Sequence, residues 1–595
     1  MNVHPCSCRP RFPVPALILW SRLGAAAFVL LALPASGHAQ TYDQVAPKTP
    51  PPPPPPQLPD NPALAAPARP AGDQVLVPAL RGLVFLTNRD ALQIEGVATA
   101  GLHVAGDALL ETAEFRALAT PYLGQPLSLH ALDRLTRDVV LYFRQHGRPV
   151  VDVLVPEQNV SSGTVQILVI EGRLGQLRVE GNQWFSTGQI LASVRARPGE
   201  VIEGAPLLAD LAWINENAFR EVDLVFMRGQ DPGVTDIILR THDRFPVRSY
   251  VGYEDSGNAL TGFDRVLFGV NWGNVFGSEQ QFNYQLSASP DFRKLVAHSG
   301  SYIIPIRALR HTLTLFGSYA ESRPELANAV FALKGRTAQL SARYRIPLPA
   351  PDTWTQDFTA GLDFKRSNNN LSFGGTQVFA QDNDVVQAIA AYGASHLDSH
   401  GAFSGEFTLA LSPGGLSSGN HARAYAAARS LARPDYAYAR LELERTTKLP
   451  AGFSWVARGT AQLASTNLLG SEQLGLGGAN SLRGYEEREA NGDDGFILVN
   501  ELHGPPLHWA PALQAGTAPD KFDPLVFVDY GWVQSYERLP GEAAHLELAS
   551  VGLGFRYQLG ATLSARFDYG WQLKDSGVSD GRRSNRAHVS LTLAY

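Results

Sequence analysis

From Pro246 to the last residue, Tyr595, apolar and polar residues alternate with a period of two, and this feature constrains the chain more than any other. Successive side chains of an extended strand point to opposite faces, so each such segment carries one greasy face and one polar face. Ala338, Leu340, Ala342, Tyr344 and Ile346 alternate with Thr337, Gln339, Ser341, Arg343 and Arg345. Phe403, Phe407, Leu409 and Leu411 alternate with Ser404, Glu406, Thr408 and Ser412, and Leu563, Ala565, Phe567, Tyr569 and Trp571 with Ser564, Arg566, Asp568 and Gln572. A soluble sandwich turns the polar face to water, whereas a transmembrane barrel turns the greasy face to lipid and encloses a polar lumen. The alternation by itself leaves both open.

Three features favour the barrel. Arg9, Arg11 and Arg22 precede an apolar stretch at 23–33, and Gly37, His38 and Ala39 provide the small residues of a peptidase site, so residues 1–39 read as a signal peptide cleaved after Ala39. That apolar stretch is too short for a membrane helix, which needs about 20 residues. Aromatic residues cluster at strand ends, as interfacial girdles require. Val589, Leu591, Leu593 and Tyr595 alternate to the chain terminus, resembling the terminal strand signal by which the barrel-assembly machinery recognises its substrates. At about 22 residues per strand and its share of loop, residues 246–595 predict about 16 antiparallel strands in an outer membrane of the Gram-negative type.

Composition excludes other classes. With 55 Gly, 19 Tyr and a mean hydropathy of -0.10, and with no long apolar run after the first 40 residues, the chain does not read as a helical membrane protein. A net charge of -6 without a basic cluster argues against nucleic-acid binding. Cys6 and Cys8 are the two cysteines and both lie in the signal segment, so no disulfide, thiolate metal site or thiol nucleophile is expected in the mature chain.

Between signal and barrel the sequence changes character twice. Residues 40–74 are proline-rich, with an unbroken run at 50–56, and predict an extended periplasmic spacer in which a long helix is disfavoured. Residues 75–172 then predict strand (83–86), helix (111–118), helix (128–146), strand (150–156) and strand (164–171). In the second helix Leu132, Leu135, Val139 and Tyr142 or Phe143 share a face, Ser128 caps the start and Gly147 ends it. Residues 173–245 repeat the order, with strand 177–180, helices 187–194 and 207–217, and strands 222–227 and 234–241 around a turn at 230–233. Residues 214–217 leading into Phe219, Arg220 and Val222, followed by the turn with Pro232 and Gly233, resemble polypeptide-transport-associated (POTRA) domains. Two tandem copies are expected.

Within the barrel lies the Gly-rich segment Leu476, Gly477, Gly478, Ala479, Asn480, Ser481, Leu482, Arg483, Gly484, Tyr485. Its glycines permit a tight loop, placed at 470–495, and Arg483 is a planar donor suited to a fixed carboxylate. About forty residues on, a strand at 525–533 puts Phe527, Asp529 and Gly531 on one face and Val526, Val528, Tyr530 and Trp532 on the other, so Asp529 faces the lumen.

The Arg-Gly-Tyr loop, the later Phe-x-Asp-x-Gly strand, two preceding POTRA-like modules and the aromatic final strand together resemble the two-partner secretion transporters, outer-membrane exporters and activators of haemolysins and filamentous adhesins. The resemblance covers about 75–595. Leu482 stands where valine is common and Tyr595 where phenylalanine is common. It implies that the loop folds into the lumen, that Arg483 pairs with Asp529, with Gly484, Tyr485, Phe527 and Gly531 in support, and that the POTRA modules receive a secreted exoprotein such as an adhesin or cytolysin. Removing one partner of a buried ion pair costs about 3 to 5 kcal/mol. That contact could serve barrel stability and gating alike. β-Augmentation at a sheet edge is a physically reasonable mode of capture. Without nucleotide in the periplasm, folding of the exported chain outside would give direction.

No catalytic, cofactor or metal site is expected. Gly415, Leu416, Ser417, Ser418 and Gly419 match Gly-x-Ser-x-Gly but sit in a turn between strands rather than a strand-to-helix elbow. His396, Asp398 and His400 lack the helical spacing of a His-x-x-x-His site. Glu486 and Glu487 read as loop charges facing water or lumen arginines. The alternative within the same architecture is a barrel-assembly insertase, though insertases commonly carry more POTRA copies. A porin would lack the periplasmic modules.

Overall fold

The computed structural model describes residues 42–595 apart from 52, 55, 60–74, 105, 232, 325–330, 352, 374–375, 509–519 and 578–583, and gives backbone alone for strand residues 331–332 and 369–381. The expected signal segment, much of the proline-rich stretch and Pro232 lie outside the described residues.

Sixteen antiparallel strands, from Val247–Glu254 to Asn585–Ala594, close into a barrel. Closure runs from Tyr250↔Ala594 to Glu254↔Ser590, and Tyr595 exchanges backbone hydrogen bonds with Ser249 at 2.8 and 3.0 Å. Every strand edge is thereby paired, the condition for crossing hydrocarbon. The two faces resolve the ambiguity left by the alternation. Leu340, Leu362 and Leu463 are 66, 66 and 70% exposed on the outside, while the neighbouring inward positions Ser341, Asp363 and Gln462 are buried. Greasy side chains outside and polar ones inside reverse the plan of a soluble sandwich.

Most connections at one barrel end are short, as at 276–279, 307–310 and 560–562, with 504–519 the long one; at the other end they include 414–434 and 465–493. The N-terminal modules join at the short-turn end. The first has a sheet ordered Gly101–Val104, Gly82–Leu86, Thr164–Glu171, Val151–Leu154, covered by helices Ala113–Ala119 and Leu129–Gln145. Ser128 caps the second helix through Ala131 N, and Leu135, Val139, Tyr142 and Phe143 form its buried face. Gly101–Val104 and the pair Val75–Val77 with Leu127–Ser128 are additional to the sequence expectation. They are too short to display a period.

The second module pairs Arg173–Glu180 parallel to Val234–Asp243 and the latter antiparallel to Arg220–Arg228, with helices Thr187–Ala192 and Gly204–Ile214. In both modules the opening strand lies parallel to the closing one, whose other neighbour is the strand preceding it in sequence. Arg148 ties the modules together through Glu171 at 3.0 Å and Glu203 at 2.7 Å.

The proline-rich segment departs from an extended spacer at its start. Tyr42–Val45 forms one helical turn inside the lumen, with Tyr42 against Phe316 at 4.6 Å between ring centroids. Gln285 Nε2 donates to Val45 O at 3.1 Å, Ser299 Oγ donates to the same carbonyl, and Lys48 pairs with Glu254 at 3.2 Å. The four helical residues precede the prolines, whose missing amides forbid only a longer helix. Farther on, Leu58 reaches the core of the second module.

Candidate functional site

The 465–493 connection, slightly offset from the expected 470–495, folds back into the lumen. It begins after Ser454–Ala464 and ends at Asp494, which already pairs with Gln534. A small ribbon, Leu474–Leu476 with Ala490–Gly492, stiffens it. Leu476, Leu482 and Tyr485 pack with Ile497, Val499, Val533 and Leu548. These residues form an apolar knot on an otherwise polar wall.

At its tip the Arg483 side chain is 1% and that of Asp529 0% exposed. Arg483 Nη2 and Nε donate to the two Asp529 oxygens at 2.7 and 2.8 Å, and its backbone amide reaches Asp529 Oδ2 at 3.1 Å. This is a bidentate charge-assisted contact reinforced from the main chain. Arg483 Nη1 also meets Glu501 at 2.5 Å and lies 3.5 Å from Asp568. The guanidinium covers Phe527, 3.5 Å from its centroid.

Each supporting residue has a steric reason. Gly484 has φ +94°, and a Cβ built on Gly570 in the facing strand would come within 2.7 Å of Gly484 N. Loop and wall backbones approach as closely as two glycines allow. Gly531 leaves room for Leu476 and Leu482, either of which would lie 2.8 Å from an added Cβ. Tyr485 Oη donates toward the carbonyls of Ala549 and Lys574, at 2.7 and 2.6 Å. Tyr595 stands apart from this cluster, at the barrel seam, with its side chain fully exposed.

Sequence reasoning missed the rest of the charge cluster. Glu501 also receives Arg458 at 3.0 Å and His503 at 3.0 Å; Asp568 receives Arg556 at 2.9 Å and Arg566 at 2.6 Å. Gly484 N donates to His588 Nε2 at 3.1 Å. Inward parity on a strand was the available signal for Glu501 and His588. On the opposite wall Glu472 of the same loop pairs with Lys365 at 2.9 Å and accepts from Gln387 and Tyr438. No local motif marks Glu472, so only the fold could reveal that second anchor.

Ser417, Asp398, His400, His396 and Glu486 have structural partners. Ser417 Oγ donates to Asp384 at 2.6 Å, and Asp384 also holds Arg366. Asp398 pairs with Arg445 at 2.9 Å and accepts the His400 amide, while His396 stacks on Trp354 at 4.5 Å. Glu486 accepts from Ala259 N at 3.1 Å.

Over residues 233–557 the sequence matches the family described as haemolysin secretion/activation protein ShlB/FhaC/HecB, and over 97–172 a POTRA domain of the ShlB type. The heme/hemopexin transporter protein HuxB of Haemophilus influenzae is 22% identical over 453 residues, 74% of this chain and 77% of that protein. Outer membrane transporter CdiB of Escherichia coli O6:K15:H31 (strain 536 / UPEC) is 24% identical over 473 residues, 76 and 75% of the two chains. The solved structure of CdiB from Escherichia coli has the same fold, with a TM-score of 0.68 at 18% identity over 89% of this chain and 93% of that one.

Proposed function

Since the chain belongs to the family of haemolysin secretion/activation proteins, matched over residues 233–557 of its 595, we propose that its N-terminal modules capture one exported polypeptide and its barrel conducts that polypeptide out of the cell. The protein is an outer-membrane transporter of the two-partner secretion type. In this reading residues 75–172 and 173–245 are two periplasmic POTRA domains and 246–595 the pore. The sheet edges of the modules offer strands for an extended segment to join by backbone hydrogen bonding. Tyr595 marks the chain for the barrel-assembly machinery, lipid surrounds the wall, and no step requires a catalytic residue or cofactor.

The observation that carries the working cycle is the double occupation of the lumen: the 465–493 loop enters from one end and the Tyr42–Val45 turn lies within. A polypeptide passing through must displace at least one of them. Arg483 and Asp529 act as the lock that keeps the loop seated, and the partner's folding at the cell surface supplies direction. An insertase would share the architecture, but the family match favours the exporter.

The test is to express the chain with and without the large exported protein encoded nearest to it and to assay the medium. Secretion that depends on the chain is expected. Equal release without it overturns the reading.

A further inference from the structure

The second N-terminal module presents aromatic side chains beside the barrel wall, and the barrel exterior continues onto them. Trp184 and Phe245 are 46 and 57% exposed and meet edge to face at 5.1 Å between centroids. In the adjoining barrel turn Phe276 is 87% exposed and meets Trp272 in the same manner at 5.3 Å. These four residues come from two folding units.

Strand register places Trp272 on the lipid side. In Arg265–Val275, Phe268 is exposed on the outside, so Val270 and Trp272 share its direction while Asn271 points inward; the register shifts between Trp272 and Val275, and the alternation stops at Trp272. Asn274, in this irregular stretch, is buried where the second module meets the barrel: its Nδ2 donates to Trp184 O at 3.0 Å and its Oδ1 accepts from Glu279 N at 2.8 Å. Next to it, Gln189 Nε2 donates to Gly277 O at 2.9 Å. The module therefore meets the barrel at the 276–279 turn, beside the outward-facing Trp272.

The backbone that carries Trp184 is also fixed by its loop. Asp243 accepts the backbone amides of Gln183, Trp184 and Phe185 at 2.9, 2.7 and 3.0 Å, fixing three successive donors around one carboxylate. Phe276 has φ +51°, a left-handed conformation that is costly for a bulky residue. Exposed aromatics in rigid positions, continuous with a lipid-facing wall, match the amphipathic rings that settle at headgroup level. Arg244, exposed beside Phe245 and lying over Phe219 at 5.0 Å, adds a cation to this patch.

We propose that Trp184 and Phe245 of the second module, together with Trp272 and Phe276 of the barrel, insert into the periplasmic leaflet of the outer membrane and anchor that module to the phospholipid surface. The barrel girdle is thus extended by a periplasmic domain. The anchor would set the height of the module, leaving its sheet edges clear of the membrane.

The test uses the full chain, with Cys6 and Cys8 replaced by Ser, in phospholipid vesicles. A single cysteine at Gln183, beside the intact Trp184, carries an environment-sensitive fluorophore. Nitroxide-labelled lipid is expected to quench it nearly as strongly as a probe at the outward barrel position Phe282, and far more than one at Ile94, exposed on the first module. In the double variant Trp184→Ser, Phe245→Ser, checked for folding by heat-modifiable migration, the quenching at 183 should fall to the Ile94 level. Quenching at 183 no stronger than at 94 in the unaltered background overturns the proposal, whatever the variant does. So does a probe that ignores lipid and responds only to an added exported polypeptide.

Discussion

Arg483 meets Asp529 from both side chain and main chain, with guanidinium contacts of 2.7 and 2.8 Å and an amide contact of 3.1 Å to one carboxylate. Withdrawing the loop would therefore strand a buried carboxylate and also release Glu501 and Asp568 from their shared cation. A contact of this kind favours one discrete seat over a range of positions.

Asp529→Ala should impair secretion strongly while the barrel still reaches the membrane, since loss of one buried partner costs about 3 to 5 kcal/mol. Arg483→Lys should also be impaired, because an ammonium cannot make the fork contact or cover Phe527 as a plane. Secretion into the medium and heat-modifiable migration separate the two effects. Normal secretion by both variants would reduce the pair to barrel packing.

The close approach of Gly484 and Gly570 gives an ordered prediction. Gly570→Ala drives a methyl into loop backbone at 2.7 to 2.8 Å, where nothing flexible can yield. Gly531→Ala meets only the ends of Leu476 and Leu482, which can rotate away. Protease access to the 465–493 loop should rise markedly in the first and slightly in the second. The reverse order would mean that loop seating is governed by the apolar knot rather than by backbone fit.

The barrel was legible because period two survives any error in strand boundaries, and the lumenal face of Asp529 followed from the same parity; Arg483 lies in a loop without a period, and only the resemblance to two-partner secretion transporters pointed to its pairing. Ser128 as a cap and the buried stripe of Leu135, Val139 and Phe143 were equally readable, being local properties of one helix. Glu501, Asp568 and His588 were not recognisable as one site: they come from separate strands, and only barrel closure and the folded loop bring them around Arg483 and Gly484. The lumenal seat of Tyr42–Val45 was invisible for a further reason. Four residues carry no period, and their partners Gln285, Ser299 and Gln339 lie more than two hundred residues away.

That seat predicts a conductance effect. Gln285→Ala with Ser299→Ala removes both side-chain donors to Val45 O, leaving a buried carbonyl without those bonds at about 1 to 3 kcal/mol. In planar bilayers the double variant should open more often or more widely than the unaltered chain. Unchanged conductance would show that the turn is held by Tyr42 and Lys48, or that the 465–493 loop alone limits flow.

Glu279 gives a pH prediction for the joint between module and pore. It lies in the periplasmic turn with its side chain 5% exposed, pairs with Arg220 of the second module, and meets Arg307 of the next turn at 2.9 Å. Burial alone would raise its pKa, but the two guanidinium groups outweigh that and hold the carboxyl below its ordinary value of 4.5. The sign follows from this depression: the contribution to docking is complete above that ordinary value and is lost as pH falls through the lowered one. Spin labels at positions 200 and 309 should report one narrow distance at neutral pH and a broadened distribution under acid below that range. Glu279→Gln should be broadened already at neutral pH and lose this acid step, since an amide keeps the size of the side chain but not its charge. A variant as tightly docked as the unaltered chain would place the joint in the neighbouring contacts, Arg310 with Asp210 and Asn217 with Gly273.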